Sequence, residues 1–380
     1  MTQKFRVGIV GLKPEISWAA RAHVPALRKL SDRFEISGVA NTSVASAQEA
    51  ATAYGIPQAF ENVEALAKSP EVDIVAVTVR VPYHRELVKA AADAGKHVYC
   101  EWPLGNGLAE GIEMADMVRE KGVLGVIGTQ ARVAPEIIYL RKLIEDGYVG
   151  EVLSSTITAQ GRSWGPVHTD YKNRAYLLDN KNGASMLTIP FGHTIAAVRD
   201  VLGDFSALTA MIENRRKEIL LPEIDKIVPF DTPDQIAVAG RIGSGNVPIM
   251  MHYRGGMPRG KHGFEWEING TEGDLRITGL HGGTQQVQLT IEGGQGVDAP
   301  FEKIDLPPEN SAGDWPDHIY PSNVARIYAR MADDLENGTN TAPRFDDGVE
   351  LHRVIASMER ASAGQVWERI DAPNRPLPVV

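Results

Sequence analysis

The strongest constraint on this chain is a repeated alternation of apolar runs and helical stretches over its first third. Residues 72–79 form a near-continuous Ile/Val run, the pattern of a strand buried on both faces. A helix over residues 83–94 follows, and Gly95 is placed to stop it. The same unit recurs. Residues 5–10 read as a strand ending at a glycine, with a helical segment starting near Ser17. Residues 35–40 read as a second strand, followed by an alanine-rich helix over 45–54. A strand at 97–100, a helix at 108–121 and a strand at 123–128 complete the series. Strands separated by helices at this spacing imply a doubly wound parallel sheet.

The remainder has a different pattern. A helix over 134–145 and an alternating strand over 151–160 lead into a polar, aromatic segment, residues 161–182. That segment holds Trp164, His168, Asp170, Tyr171, Lys172 and Tyr176 and has the makeup of a binding loop. A helix over 186–202 follows, with His193 near its middle and Pro190 early in it. Alternating runs at 207–213, 235–242, 247–254, 264–269, 274–278 and 286–291 are separated by glycine-rich turns. Short turns between such runs mean an antiparallel or mixed open sheet. Residues 298–318, rich in Pro, Asp and Glu, read as an irregular excursion, and helices at 322–336 and 348–363 follow.

The expected fold class is therefore α/β. An N-terminal Rossmann doubly wound parallel sheet spans residues 1–128. A C-terminal α+β domain, residues 129–380, carries a large open, mostly antiparallel sheet, and its last helices could pack back on the first domain. A length of 380 residues is in keeping with two domains. The formal net charge of -10, with no basic run, argues against direct binding of nucleic acid or anionic membranes. Cys100 is the only cysteine, so no intramolecular disulfide forms and a reducing compartment is expected. The first residues lack the apolar core of a signal peptide, and no apolar run approaches the roughly 20 residues of a membrane span. The expectation is a soluble cytoplasmic protein that needs no metal.

Nucleotide signals are mixed. Gly8 and Gly11 fit the glycines at a strand end, but the dinucleotide fingerprint then asks for glycine near Lys13 and near Ile16. The second of these normally lets the pyrophosphate approach the backbone. Lys13 could offset its loss with an ammonium near a phosphate; alternatively, the two glycines only close a tight turn. At the end of the second strand stand Asn41, Thr42 and Ser43, where NAD-binding units usually place a carboxylate for the ribose. Nothing there repels a 2′-phosphate and no arginine clamps one, so the cofactor is NAD or NADP, leaning to NADP. The same residues also read as a polar cap of the next helix.

The order of parts resembles the glucose–fructose oxidoreductase / inositol dehydrogenase / MocA family. The resemblance rests on the N-terminal Rossmann unit and the Glu101-Trp102-Pro103 loop. It also rests on the segment from Gly128 to Pro135, the helix ending Asp146-Gly-Tyr-Val-Gly-Glu-Val152, and the open sheet. One branch, with the yeast galactose-regulon repressor, shares further stretches in the same order. They are Trp18-Ala19, His23-x-Pro25-Ala26, Glu101-Trp102, Phe191-Gly-His-Thr-Ile195, Gly245-Asn-Val-Pro248, Gly255-Gly-x-Pro258, Gly270-Thr-x-Gly-Asp-Leu275 and His352-Arg353.

The resemblance implies cofactor contacts from Gly8, Gly11, Leu12, Lys13, Asn41, Thr42, Ser43, Val79, Arg80, His84, Glu101 and Trp102. In catalytic relatives a lysine after the glutamate and a histidine share the proton transfer, usually with an aspartate one helical turn before the histidine. Here those positions are Trp102, His193 and Ile189, so His193 is left as the main acid/base. Tyr176 could relay a proton, and Lys172 could bind a carboxylate, phosphate or hydroxyl. Trp102 and Trp164 could stack on a sugar ring or pack as core, and Arg132 could bond substrate hydroxyls or form a salt bridge.

Two classes follow. One is an NAD(P)-dependent oxidoreductase of a sugar, cyclitol or sugar derivative, including redox-neutral glycoside cleavage with a recycled cofactor. The other is a non-catalytic NAD(P)- or sugar-sensing transcriptional regulator; the repressor of that branch binds NADP and contacts a transcriptional activator. The retained His193, close to a polar aromatic loop, favours the enzyme. The resemblance also implies a homodimer or homotetramer through the open sheet.

Overall fold

A computed structural model describes residues 4–370. Among these the chain forms two compact units, residues 4–130 with 313–352, and residues 131–312 with 353–370.

The first unit is built on six strands: β1 (Phe5–Val10), β2 (Phe34–Ala40), β3 (Gln58–Phe60), β4 (Ile74–Val77), β5 (His97–Glu101) and β6 (Gly125–Gly128). They pair in the order β3-β2-β1-β4-β5-β6, and every neighbouring pair is parallel. All residues of β4 and β6 are buried, as strands covered by helices on both faces must be. Ser43 starts the helix Val44–Tyr54 by accepting the N–H of Ser46, and Gly55, at φ +62°, ends it. The strand order reverses between β1 and β4. In such sheets ligands bind beyond the carboxyl ends of the strands at that point. Residues 11–13, 41–43, 78–80 and 101–102 lie at those ends.

The second unit carries eleven strands: β7 (Val152–Gly161), β8 (Phe205–Glu213), β9 (Glu218–Leu221), β10 (Lys226–Pro229), β11 (Gln235–Ile242), β12 (Val247–Gly255), β13 (Phe264–Gly270), β14 (Gly273–Gly279), β15 (Thr290–Gln295), β16 (Glu302–Ile304) and β17 (Glu368–Arg369). Nine of them form one sheet in the order β16-β15-β14-β13-β7-β12-β11-β8-β17, while β9 and β10 make a separate hairpin. Only β7 and β12 pair in parallel; the other pairs are antiparallel. Burial alternates along β11: Ile236, Val238 and Ile242 are buried and Ala237 and Ala239 are not. That is the signature of a sheet with one covered face.

The fold departs from the sequence expectation in local detail. The strand β3, the helix Val63–Lys68 and the β9–β10 hairpin were not foreseen, because elements this short carry too little periodicity. The last alternating run lies at Thr290–Gln295 rather than at 286–291. The irregular excursion contains β16 and one helical turn, Pro308–Ser311. The helix expected over 186–202 is two pieces, a π-helical turn Leu187–Phe191 and an α-helix Gly192–Leu202. Pro190 has no N–H to donate, and the wider turn absorbs the gap. Among the described residues no helix is long and apolar enough to cross a membrane.

Candidate functional site

In the first unit the turn after β1 depends on Gly11. Its φ is +98°, and a Cβ there would lie 2.5 Å from Val79 Cγ1. Gly8 lies within β1, where a Cβ would lie 2.6 Å from Leu66, so its missing side chain lets the helix Val63–Lys68 approach the sheet. Leu12 is fully buried and its carbonyl accepts from the Asn41 amide at 2.8 Å. The second Asn41 N–H donates to the Ser46 carbonyl at 3.0 Å. Lys13 is exposed, and its N–H donates to Ser17 Oγ at 3.0 Å. Thr42 and Arg80 are exposed at neighbouring strand ends. Where the fingerprint has its middle glycine, this chain has a loop tied down by its own side chains. The residues nonetheless suit a dinucleotide: Lys13 offers an exposed ammonium, and the buried Nε1–H of Trp18 makes no hydrogen bond within the protein.

Glu101 is held by a network that spacing alone did not reveal. His23 Nε2 is 2.8 Å from Glu101 Oε1, and His23 Nδ1 is 2.9 Å from the hydroxyl of Tyr328. The Gln130 amide donates to both Glu101 oxygens, at 3.0 and 2.8 Å. Gly128 leaves room for this: a Cβ would lie 2.9 Å from Glu101 Oε1 and 3.0 Å from Gln130 Nε2. Behind the network the rings of Tyr99 and Tyr328 stack with centroids 4.8 Å apart. His23 and Gln130 lay inside stretches that carried the family resemblance, but nothing in the sequence paired them with Glu101.

His84 is buried and joins two strand-end loops. Its Nε2 is 3.0 Å from the Val79 carbonyl, and its Nδ1 is 3.0 and 3.1 Å from those of Pro103 and Leu104. Burial pushes its pKa below the ordinary histidine value. Trp102 is 5% exposed, and its ring lies 4.7 Å from that of His352. His352 Nε2 accepts the Gly105 N–H at 3.3 Å, and burial pushes that histidine down to about 4. Trp102 is thus a packed wall. The Trp102→Lys variant is expected to lose about 3–5 kcal/mol of stability, as for other large core truncations, with no gain in dehydrogenase activity. Thermal melts and sugar oxidation assays check this; a large gain in turnover would show that the scaffold lacked only a proton-transfer group.

In the second unit His193 is the second residue of the helix Gly192–Leu202. It is 3% exposed, its Nδ1 is buried with no partner, and burial alone pushes its pKa down to about 3. The ring is therefore neutral at pH 7 and keeps a lone pair. Its neighbour Thr194 fixes this turn: Thr194 Oγ1 is 2.6 Å from the Tyr253 hydroxyl and 3.2 Å from Thr284 Oγ1. Trp164, in a short turn after β7, is 5% exposed, and its Nε1 has no partner. Gly255 must be glycine, because a Cβ would lie 1.9 Å from the Trp164 carbonyl oxygen. Lys172 is exposed on the turn Tyr171–Arg174. Tyr176 is half-buried, and its carbonyl accepts from Asn182 at 2.9 Å. Arg132 makes a two-pronged ion pair with Asp200, at 2.7 and 2.8 Å, on the same helix as His193. Of the two readings open for Arg132, the salt bridge is the one the structure contains.

A doubly wound parallel sheet with its loops at the switch point, in a chain that also carries an open-sheet unit, is the architecture of a Rossmann-type dinucleotide-binding fold. Comparison with known proteins agrees. A family profile described as "Oxidoreductase family, NAD-binding Rossmann fold" matches residues 5–129, and one described as "Gal80p, C-terminal domain" matches residues 135–279. The "Dehydrogenase aclE" of Aspergillus oryzae is 31% identical over 379 residues, covering 96% of this chain and 98% of that one. The "Galactose/lactose metabolism regulatory protein GAL80" of Saccharomyces cerevisiae is 28% identical over 405 residues, covering 94% and 92%. A solved structure of levoglucosan dehydrogenase in complex with NADH and levoglucosan shares the fold, with a TM-score of 0.81 at 21% identity, covering 97% and 100%. The chain belongs to the Gfo/Idh/MocA oxidoreductase family.

Proposed function

We propose that this protein is a nicotinamide-dependent oxidoreductase that acts on a hydroxyl of a sugar, cyclitol or sugar derivative, with His193 as its acid/base. The observation that carries the reading is the buried, neutral imidazole of His193 with an unpartnered Nδ1. A polar atom kept dry and unpartnered is costly unless a ligand completes it. The cofactor would be held by Gly11, Lys13, Trp18 and Glu101 and would supply the hydride acceptor. The chain's own residues do the rest: His193 Nδ1 takes the hydroxyl proton, and Trp164 forms a wall of the substrate site. Tyr176 and Lys172 are proposed as auxiliary groups for proton relay and substrate contact. The aclE and levoglucosan dehydrogenase relatives support this direction.

NAD is favoured over NADP. Asn41 has both amide N–H groups committed to carbonyls, and Ser43 caps a helix, which leaves Thr42 of that trio for a 2′-phosphate. NADH is expected to bind more tightly than NADPH in a tryptophan-fluorescence titration. The experiment for the function itself is oxidation of levoglucosan, D-glucose, myo-inositol and simple glycosides with NAD+, following reduced cofactor and product. Glycoside cleavage without net cofactor reduction would identify the redox-neutral variant.

A second reading is favoured by the Gal80p-type C-terminal match together with Trp102 in the lysine position. Under it the protein binds cofactor or sugar and reports to a protein partner. Tight NADH binding without turnover of any panel member would select it.

The outward face of the open sheet is proposed as a homodimer surface. Met211 and Met250 are 64% and 63% exposed there, flanking Ala237 and Ala239 across β8, β11 and β12. Exposed methionines beside alanines, with His252 and Arg254 at the edge of the patch, suit burial against a second copy of the chain. Met250→Lys is expected to turn a dimer into a monomer by light scattering, and a wild-type monomer would contradict the assignment.

A further inference from the structure

The second unit leaves other buried polar atoms without partners. Gln285 is 4% exposed, and its Oε1 makes no hydrogen bond within the protein. Gln160 Oε1, near the end of β7, is in the same state. The backbone brings the Gln285 amide and His193 to one region of the unit, whereas the Gln160 side chain lies on the other face of β7, with Thr156 and Thr158. The Gly282 N–H donates to the Gln160 carbonyl at 2.9 Å, and the Tyr253 hydroxyl donates to the Gly282 carbonyl at 3.1 Å. Thr284, next to Gln285, is 3.2 Å from Thr194, next to His193. The loop after β14 is therefore fastened both to the end of β7 and to the helical turn that carries His193. Residue 283 is glycine, and a Cβ there would lie 3.6 Å from Gln285 Oε1 and 3.0 Å from the His281 ring. With glycine at 283, no side chain from that position packs against the amide oxygen.

We propose that Gln285 reads adjacent hydroxyl groups of the substrate and so determines specificity for a polyhydroxylated ligand. A carboxamide suits this task, since its oxygen accepts from one hydroxyl while its N–H donates to the next. An amide oxygen that is buried and unpaired without ligand is costly, and bound hydroxyls would recover that cost. The inference rests on the sugar-oxidoreductase reading above.

The test uses the full chain saturated with NADH and D-glucose as probe, with 2-deoxy-D-glucose as the analogue lacking one hydroxyl. Gln285→Met keeps the shape and removes the amide; Gln285→Glu keeps an acceptor and serves if the first variant does not fold. The expected result for Gln285→Met is D-glucose affinity weakened roughly tenfold or more, from loss of a hydrogen bond to a buried site. Its preference for D-glucose over the deoxy analogue should be reduced and its affinity for NADH unchanged. Gln285→Glu should retain more of the sugar affinity than Gln285→Met. Wild-type protein that does not bind D-glucose, or a Gln285→Met variant that binds both sugars as wild type does, would overturn the inference. Sugar oxidation by the wild type with unchanged binding by Gln285→Met removes this inference alone. Sugar binding that depends on Gln285 without any turnover removes the oxidoreductase reading alone.

Discussion

The His193→Asn variant is expected to lose roughly 10²- to 10⁴-fold in kcat for sugar oxidation, the usual size of a general acid–base contribution. Its affinity for NADH should stay at the wild-type value, since the imidazole is assigned to the proton and not to the cofactor. The pH dependence follows from burial. The ordinary histidine value is 6.5, and burial pushes His193 down to about 3. The base form is then retained throughout neutral and mildly acidic solution, so kcat/KM should be flat between about pH 5 and 8. An inflection near the ordinary histidine value that disappears in His193→Asn would contradict the buried, neutral ring. Stability carries the opposite signature. The unfolded chain binds protons at His193, His281 and His352 below the ordinary value of 6.5, whereas the folded protein resists until about 3, 4 and 4. Stability from these groups is full above that ordinary value and is lost as pH falls through the window.

The Glu101→Leu variant should damage both the stability of the first unit and its affinity for cofactor. It leaves His23 Nε2 and the Gln130 amide facing a hydrocarbon in a buried network. Two stranded polar groups cost about 2–4 kcal/mol, a fall in Tm of roughly 5–15 °C for a unit of this size. Because Glu101 is also assigned to the cofactor, NADH affinity should drop at least about tenfold, the equivalent of one charge-assisted hydrogen bond. Calorimetry and a fluorescence titration measure the two effects separately. A variant that melts like wild type would show that the network does not hold the loop; one that melts lower yet binds NADH normally would remove Glu101 from the cofactor site.

The layered architecture was legible because it is written in local periodicity. A run such as that around β4 can be apolar throughout only if both faces are covered, and β11 and β12 alternate because one face is not. The candidate site was legible as residue types but not as partnerships. His23 meets Glu101 from 78 residues away, and Arg132 meets Asp200 from 68. No spacing rule links such positions. The polar residues at the end of β2 read as either cofactor donors or a helix cap. The structure commits Asn41 and Ser43 to the protein's own backbone. Gln160 and Gln285 escaped notice for a simpler reason. A glutamine in a strand or loop is an ordinary surface residue until the fold buries its amide and gives it no partner.

The function of His193 is tested most directly in a single assay: purified protein, NAD+ and each panel sugar, followed by the absorbance of reduced nicotinamide and by product analysis. Oxidation, or cofactor-dependent cleavage, of at least one sugar by the wild type is expected, with near-complete loss in His193→Asn. NADH binding with no turnover of any sugar, or turnover that survives in His193→Asn, would contradict it.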